Sequence, residues 1–126
     1  MTTSGSSLTT SGVKTVIYPV RNLSAAKALF SALGVEPAMD EAYYVGYRVA
    51  DQDIGLDPGG HSKGMTGPVA YWHVDDIQQA VKALVAGGAT ELQAVSDVGG
   101  GKLVAIVNDA DGNHIGLIND TGLIQE

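Results

Sequence analysis

The side chains best suited to bind or transform a small molecule are scattered singly along this chain. His73 and His114 could each donate a hydrogen bond or act as a general base, because imidazole titrates near neutral pH. Arg48 could hold a carboxylate or an enolate-like oxygen through its planar guanidinium group. Structural roles remain open beside these: Arg48 could pair with Asp53 or Asp57, His73 could be half-buried, and His114 could be solvated.

Several kinds of site are missing from the sequence. It has no cysteine, which excludes disulfides, thiolate metal sites and cysteine nucleophiles. It has no nucleophile elbow, phosphate loop or dinucleotide fingerprint. The glycine run at 99–101 precedes a predicted strand, so it lacks the helix N-terminus that a phosphate would use. The formal net charge is −7 and the basic residues are dispersed, so we expect neither nucleic acid nor membrane as a partner.

Length and composition predict one domain. The chain has 126 residues, of which 1–12 are mostly Ser, Thr and Gly, and we interpret that segment as a flexible tail before a domain at 13–126. No apolar run approaches the roughly 20 residues that span a bilayer. The N-terminus lacks a basic region followed by an apolar stretch, so we expect a cytoplasmic protein.

The elements that position these residues occur in two similar sets. Hydrophobic spacing and turn residues predict, in the first half, a strand at 13–20, a helix between Asn22 and Gly34, and strands at 43–50 and 53–57. The second half predicts a strand at 68–74, a helix between Asp75 or Asp76 and Gly87, and strands at 91–96, 103–108 and 113–118.

The two sets can be aligned. Four residues of the first half match four of the second at an offset of 54: Val20, Leu23, Ala26 and Gly34 match Val74, Ile77, Ala80 and Gly88. The tripeptide Ile-Gly-Leu occurs at 54–56 and again at 115–117. A repeat of this kind predicts a pseudo-symmetric α+β fold of two β-α-β-β-β modules with one shared cleft. We place module one at 13–58, a linker at 59–67 and module two at 68–120.

Three segments together carry a family resemblance. They are Val20-Arg21-Asn22-Leu23, the segment 71–77 before the second helix, and the turn at 108–113, in which Ala110 replaces the usual proline. In order and spacing the chain resembles the vicinal oxygen chelate superfamily, which includes glyoxalases, bleomycin-resistance proteins and extradiol dioxygenases. The resemblance implies that the modules form a curled mixed sheet around a shared concave cleft, with the helices outside. It also implies a homodimer.

The same resemblance implies where a metal would be held. Metal-dependent members take one ligand from the first strand and one from the last strand of each module. By position these become Thr15, Gly55, Val69 and Gly116. Divalent metals need imidazole, carboxylate or thiolate donors, and these four residues supply none. We therefore expect no metal and no cofactor.

Strand alternation predicts which residues line the cleft. A two-residue turn at Asp51-Gln52 would pair Arg48 with Gly55, with Asp57 diagonal to Arg48. The same rule pairs His114 with Val107 in the second hairpin, and Gly116 with Ala105. The predicted ligand-binding residues are Thr15, Arg48, Gly55, Asp57, Val69, Tyr71, His73, His114 and Gly116. Tyr71 is expected to form a wall on which a planar ligand can stack.

Three functions are compatible with this cleft. The first is a metal-free small-molecule binding protein that sequesters its ligand. The second is a metal-independent lyase or isomerase with His73 as base and Arg48 as oxyanion stabiliser. The third is a metal-dependent glyoxalase- or dioxygenase-type enzyme with shifted ligands, drawn from His73, His114 and Asp57.

Overall fold

The computed structural model describes residues 8–119, which contain eight strands and two α-helices. The predicted α+β class is confirmed. In chain order the elements are β1 (Thr10–Pro19), α1 (Leu23–Ala32), β2 (Pro37–Glu41), β3 (Tyr44–Val49), β4 (Gln52–Asp57), β5 (Val69–Val74), α2 (Ile77–Ala86), β6 (Thr90–Asp97), β7 (Leu103–Asn108) and β8 (His114–Asn119). Within residues 8–119, no helix is both long enough and apolar enough to cross a membrane.

The chain divides into two compact units. We call Lys14–Tyr71 the first unit; the second unit comprises 8–13 and 72–119 of the described residues. The strand order is β2-β3-β4-β1 in the first unit and β5-β8-β7-β6 in the second. β1 runs parallel to β4, whereas β3 runs antiparallel to both β2 and β4, so the first unit has a mixed sheet. The division falls inside β1 and β5 rather than in the linker at 59–67.

Helix α1 covers one face of the first unit's sheet. The side chain of Asn22 accepts a hydrogen bond from the backbone N–H of Ala25 at 3.0 Å, which confirms the predicted N-cap. Phe30 on α1 stacks on Tyr47 with ring centroids 5.3 Å apart. The core beneath the helix contains Tyr18, Val45, Tyr47, Ile54 and Leu56. Alternation along the strands therefore leaves their neighbours on the opposite face.

Strand β2 is absent from the predicted elements. It begins at Pro37 and pairs only with β3, at the edge of the first unit's strand order. Proline lacks a donor for a ladder hydrogen bond, but an edge strand tolerates it at the first residue. The sequence treats Pro37 only as a stop for α1, and this strand completes the β-α-β-β-β order of the first half.

Helix α2 organises the core of the second unit. Of the two predicted caps, Asp76 is the one that forms: its carboxylate accepts from the N–H of Gln79 at 3.1 Å. The buried face of α2 packs on Val74, Ala105, Val107 and Leu117. Three of these residues lie on β7 and β8, so alternation places their neighbours on the helix-free face of this unit. Those neighbours include Ile106, His114 and Gly116.

β1 begins three residues earlier than predicted. The hydroxyl of Thr10 donates to the carbonyl of His73 at 2.7 Å, and the N–H of Thr9 donates to the carboxylate of Asp75 at 3.0 Å. These partners are more than 60 residues away in sequence, so local composition gives no sign of them. Of the predicted tail at 1–12, residues 1–7 lie outside the described part of the chain, as does residue 120 of predicted module two.

The predicted turn of the first hairpin lies one residue too late, which shifts the strand pairing by two residues. The turn is Ala50-Asp51, with φ +56° at Ala50, and it pairs Val49 with Gln52. Gly46 therefore lies opposite Gly55, and Arg48 lies opposite Asp53. Residues such as Asp, Asn and Gly are favoured where a hairpin turn needs a positive φ, but in this turn Ala50 adopts one.

The predicted register of the second hairpin is also wrong by one residue. His114 pairs with Asn108 rather than Val107, and Gly116 pairs with Ile106 rather than Ala105. The connection is a five-residue loop, 109–113, rather than the predicted four-residue turn at 109–112. The carboxylate of Asp109 organises it by accepting from the N–H groups of Asp111 and Asn113 at 2.9 and 2.8 Å.

Candidate functional site

The face of the first unit opposite α1 brings together several polar groups on a glycine-containing surface. Ile17 of β1 lies beside Gly55 of β4, Pro19 lies beside Asp57, and β3 places Gly46 opposite Gly55. Tyr44 shares this face by alternation with Gly46. Tyr71 of β5 lies by alternation on the strand face opposite Val74, which packs on α2, and its pKa is raised by burial and then by the charge of Asp57. We call this surface the tyrosine face, comprising Thr15, Ile17, Pro19, Tyr44, Gly46, Gly55, Asp57 and Tyr71.

The ring of Tyr44 occupies the space that a side chain at position 55 would need. A Cβ atom built on Gly55 would overlap the Tyr44 hydroxyl oxygen and lie 2.6 Å from the ring atom Cζ. Gly46, on the neighbouring strand, leaves ordinary contact space, with Tyr44 Cε2 3.4 Å from its built Cβ. Gly55 therefore admits the ring, and the two residues fit together as a pair.

Burial and nearby acids keep both phenols protonated. Burial raises the pKa of Tyr44 to about 12, with smaller contributions from the charges of Asp57 and then Asp53. Tyr71 is 3% exposed, and its pKa is also raised, first by burial and then by Asp57. Neither hydroxyl has a hydrogen-bond partner among residues 8–119. Both hydroxyls are therefore protonated at neutral pH, and each can donate a hydrogen bond to a ligand.

Asp57 is the charged group at the centre of this face. It is 8% exposed, and its two carboxylate oxygens accept from the N–H of Gly59 and from Nζ of Lys63, each at 2.8 Å. Its backbone carbonyl accepts from the N–H groups of Val20 and Gly60, each at 3.1 Å. A buried carboxylate needs such partners, because burial without them is costly.

The segment after β4 packs tightly against β1. A Cβ atom built on Gly60 would lie 2.7 Å from Cβ of Pro19 and 2.9 Å from its Cα. Met65 at the far end of the same segment is 2% exposed. The predicted linker at 59–67 therefore supplies packed structure, including a short 3-10 turn at His61–Lys63.

Arg48 lies at the end of its hairpin, bonded to groups of that hairpin. Its Nη1 atom is 3.2 Å from Oδ1 of Asp53, and its Nε donates to the carbonyl of Ala50 at 3.2 Å. The side chain is 58% exposed. The expected placement of Arg48 beside Gly55 is wrong because the turn lies one residue earlier, and the ion pair with Asp53, one of the two structural alternatives, is the one formed.

The remaining predicted site residues divide between the units. Thr15 and Val69 of the first unit are buried. His73, His114 and Gly116 lie in the second unit. The ring atom Nδ1 of His114 lies 2.6 Å from Oδ1 of Asn108, its partner across the hairpin.

Trp72 lies on β5 and is one of the exposed large apolar side chains. It shares the parity of Val74, which packs on α2, yet it remains 43% exposed.

The four positions that the family resemblance assigns to a metal do not fit one here. Within the described residues, no group of three or more His, Cys, Asp or Glu side chains is arranged to hold a metal ion. At position 55 the space for a carboxylate side chain is filled by Tyr44, and Thr15 and Val69 offer at most one hydroxyl.

A shallow apolar groove lies elsewhere, between α2 and the start of β6. It is lined by Val81, Lys82, Val85, Ala86, Ala89, Thr90 and Glu91. Its polar lining residues Lys82, Thr90 and Glu91 are all exposed, whereas ligand sites combine apolar walls with a few precisely placed polar groups. We therefore favour the tyrosine face as the candidate site.

No protein-family model matches the chain, and no curated protein matches it. Several solved structures do match the chain. A glyoxalase/bleomycin resistance protein/dioxygenase superfamily member from Vibrio splendidus 12B01 aligns with a TM-score of 0.62 at 18% identity, over 88% of this chain and 98% of that one. The Mn(II)-bound glyoxalase from Novosphingobium aromaticivorans gives 0.64 at 19%, over 90% of this chain and 40% of that one. The chain has the vicinal oxygen chelate fold.

A third structure with this fold carries a different description. The NAD-dependent benzaldehyde dehydrogenase from Legionella pneumophila aligns with a TM-score of 0.67 at 12% identity, over 83% of this chain and 96% of that one. At such identities the vicinal oxygen chelate fold is what these proteins share with this chain. Chemistry must be argued from the site itself.

Proposed function

We propose that this chain is a metal-free small-molecule binding protein, of the glyoxalase/bleomycin-resistance-like kind, that binds or sequesters its ligand on the tyrosine face. The observation that carries the proposal is the pair of Tyr44 and Tyr71 hydroxyls, which have no partner among residues 8–119 and lie near a buried carboxylate. Ligand sites typically combine apolar walls with a small number of unsatisfied polar groups. Ile17 and Pro19 supply apolar wall on the same face.

The filled space at Gly55 supports binding without a metal. A side chain there would have to displace Tyr44, so the first unit does not offer the carboxylate ligand that the fold uses elsewhere. The lyase or isomerase alternative receives no such support, because the guanidinium of Arg48 is engaged with Asp53 and the carbonyl of Ala50.

The test is a titration of isotope-labelled protein with a library of planar and glycopeptide compounds, followed by NMR. We expect the amide signals of Tyr44, Gly55, Asp57 and Tyr71 to move on binding. Signals of the groove between α2 and β6, such as Val81 and Ala89, serve as the internal control. Movement confined to that groove, or no movement with any compound, would contradict the proposal.

We also propose that the chain forms a homodimer, as the family resemblance implies. Light scattering on the purified protein should give twice the mass of one chain. A mass equal to that of one chain, unchanged as the concentration is raised, would rule the dimer out.

A further inference from the structure

Helix α1 has two apolar sides, and only one of them packs on the core of the first unit. Leu23, Ala26 and Phe30 contact that core. The second apolar side is exposed, and we call it the outer stripe: Ala25, Leu29, Ala32 and Leu33. Leu29 and Leu33 are 72% and 75% exposed, the highest values among the large apolar side chains of residues 8–119. They lie on one side of the helix because they are four residues apart.

The outer stripe is distinct from the polar side of the helix. Ser24, Lys27 and Ser31 follow one another at intervals of three and four residues and form that polar side. The only charged residue within α1 is Lys27, and it already pairs with Asp40 at 2.8 Å. Single exposed apolar side chains are normal on a protein surface, whereas contiguous ones mark a contact with another molecule.

Opposite charges lie at the two ends of the outer stripe. Arg21 precedes the N-cap of α1, and Glu36 lies three residues after Leu33. Both are exposed, and neither takes part in an ion pair with another of the described residues. A surface with a positive end and a negative end is complementary to a copy of itself that runs in the opposite direction. The charges therefore favour a second copy of this chain as the partner.

We propose that two copies of the chain associate through their outer stripes, with the two α1 helices antiparallel and Leu29 at the two-fold axis. This inference rests on the homodimer proposed above and assigns a surface to it. In this arrangement Leu33 lies against Ala25 of the second copy, so each large side chain meets a small one. Arg21 lies near Glu36 of the second copy, and the two-fold axis repeats this pair.

The length of α1 sets the strength that this contact can have. The helix has 10 residues and is about 15 Å long, so the outer stripe forms a small interface. Interfaces below roughly 1,200 Å² in total are typical of weak complexes. We therefore expect a dimer that forms and dissociates within the micromolar to millimolar range of chain concentration.

The test measures the dissociation constant of the full chain by sedimentation equilibrium across that range. Leu29→Glu places two like charges at the proposed axis. Ser31→Glu is the matched control, because it adds the same charge to the polar side of the same helix. Val85→Glu adds the charge to α2, where Val85 is 44% exposed and lines the apolar groove. Urea midpoints establish that each variant is folded.

We expect Leu29→Glu to raise the dissociation constant at least about tenfold, because two leucines lose their burial and two like charges meet. Ser31→Glu and Val85→Glu should leave it within about twofold of the wild-type value, as surface changes outside a contact do. A dimer that Leu29→Glu does not weaken, or that Val85→Glu weakens more, would overturn the inference.

A charge exchange tests the antiparallel direction. Arg21→Glu and Glu36→Arg should each weaken the dimer about two- to thirtyfold, since each variant brings like charges together at both ends of the contact. The double variant should restore the wild-type affinity. Within one chain the two positions lie beyond opposite ends of α1, so restoration requires a second copy. A double variant that associates no more tightly than either single variant would also overturn the inference.

The outcomes separate this surface from the proposed homodimer. If the wild type dimerises and Leu29→Glu dimerises equally well, the surface is wrong and the homodimer stands. If the wild type remains monomeric over the whole range of concentration, both fail together. Ligand binding at the tyrosine face, which lies on the face of the sheet opposite α1, is tested separately by NMR and depends on neither result.

Discussion

Gly55 and Tyr44 depend on each other because they compete for one volume. The built Cβ of Gly55 overlaps the Tyr44 hydroxyl, and the ring atom Cζ is only 2.6 Å away. A tyrosine ring cannot shorten, so any side chain at 55 must rotate the ring out of the face or move the strand. The Tyr44 hydroxyl can lie in its present position because position 55 has no side chain.

The first prediction concerns this pair. Gly55→Ala should lower the free energy of unfolding by about 1–3 kcal/mol, the usual cost of overpacking. Gly46→Ala is the control, because its built Cβ meets Tyr44 Cε2 only at 3.4 Å, and it should cost clearly less. In a Tyr44→Ala background the cost of Gly55→Ala should disappear. Urea unfolding measures all of these, and an equal cost in both backgrounds would contradict the pairing.

A second prediction follows from the raised phenol pKa of Tyr44. An unfolded tyrosine ionises near pH 10, whereas folded Tyr44 resists ionisation until about pH 12. Below pH 10 the stabilising effect of the neutral phenol is fully present, and it is lost as the pH rises from 10 to 12. Urea unfolding at intervals over that range should therefore show falling stability.

The matched comparison isolates the contribution of Tyr44 to that loss. Tyr44→Phe has no phenol at this position to ionise, so its stability should fall less steeply above pH 10 than that of the wild type. Tyr43→Phe should follow the wild-type curve. Identical slopes for all three proteins would show that Tyr44 ionises equally easily folded and unfolded.

At the scale of elements, the segment after β4 is held by the same carboxylate that faces the phenols. Asp57 binds the N–H of Gly59 and the ammonium group of Lys63, while Gly60 packs against Pro19. The side chain of Asp57 is 11% exposed and that of Lys63 47%, so water screens only one partner well. This pair should contribute more than an exposed ion pair of equal length.

The third prediction compares two ion pairs of the same length. Lys63→Met should destabilise the protein by about 1–3 kcal/mol, since it leaves a buried carboxylate with a single donor. Lys27 and Asp40 also lie 2.8 Å apart, but the Asp40 side chain is 48% exposed against 11% for Asp57, so Lys27→Met should cost about 1 kcal/mol or less. Thermal or urea unfolding gives both values. Equal costs would mean that Asp57 is effectively solvated.

The elements also show which structural features can be predicted from neighbouring residues in the sequence and which cannot. Asn22 and Asp76 cap their helices as the sequence predicts, because a cap bond joins residues only three apart. The start of β1 depends on His73 and Asp75, which no local pattern reveals. Likewise, Ala50 adopts a positive φ that its residue type disfavours, so the turn lies one residue earlier than predicted. As a result Gly46, rather than Arg48, lies opposite Gly55.

At the scale of the whole chain, the sequence predicts the repeated order of elements and several residues of the proposed site. Four of the predicted ligand-binding residues belong to the tyrosine face: Thr15, Gly55, Asp57 and Tyr71. The sequence does not predict Tyr44 as a site residue, because a turn at Asp51-Gln52 pairs Gly46 with Asp57 and so places Tyr44 beyond the end of β4. Correct turn placement would have found it, since alternation puts Tyr44 on the face of Gly46.

The fourth prediction concerns metals. Addition of Mn²⁺, Ni²⁺, Zn²⁺ or Fe²⁺ to chelator-treated protein should leave the Tm unchanged, because a specifically bound ion would raise it by mass action. The chelator-treated protein without added metal is the reference. A rise in Tm that saturates near one equivalent of any of these ions would contradict the expectation and restore the metal-dependent alternative.

The fit of Tyr44 against Gly55 also constrains how sequences of this kind can diverge. A single change of Gly55 to glutamate meets an occupied volume, so it costs stability before it can add a metal ligand. A single loss of Tyr44 opens the volume but gives up a binding group. The two positions should therefore change together along a lineage: homologous chains with an acidic residue at 55 should carry a small residue at 44, and those with an aromatic at 44 should keep glycine at 55.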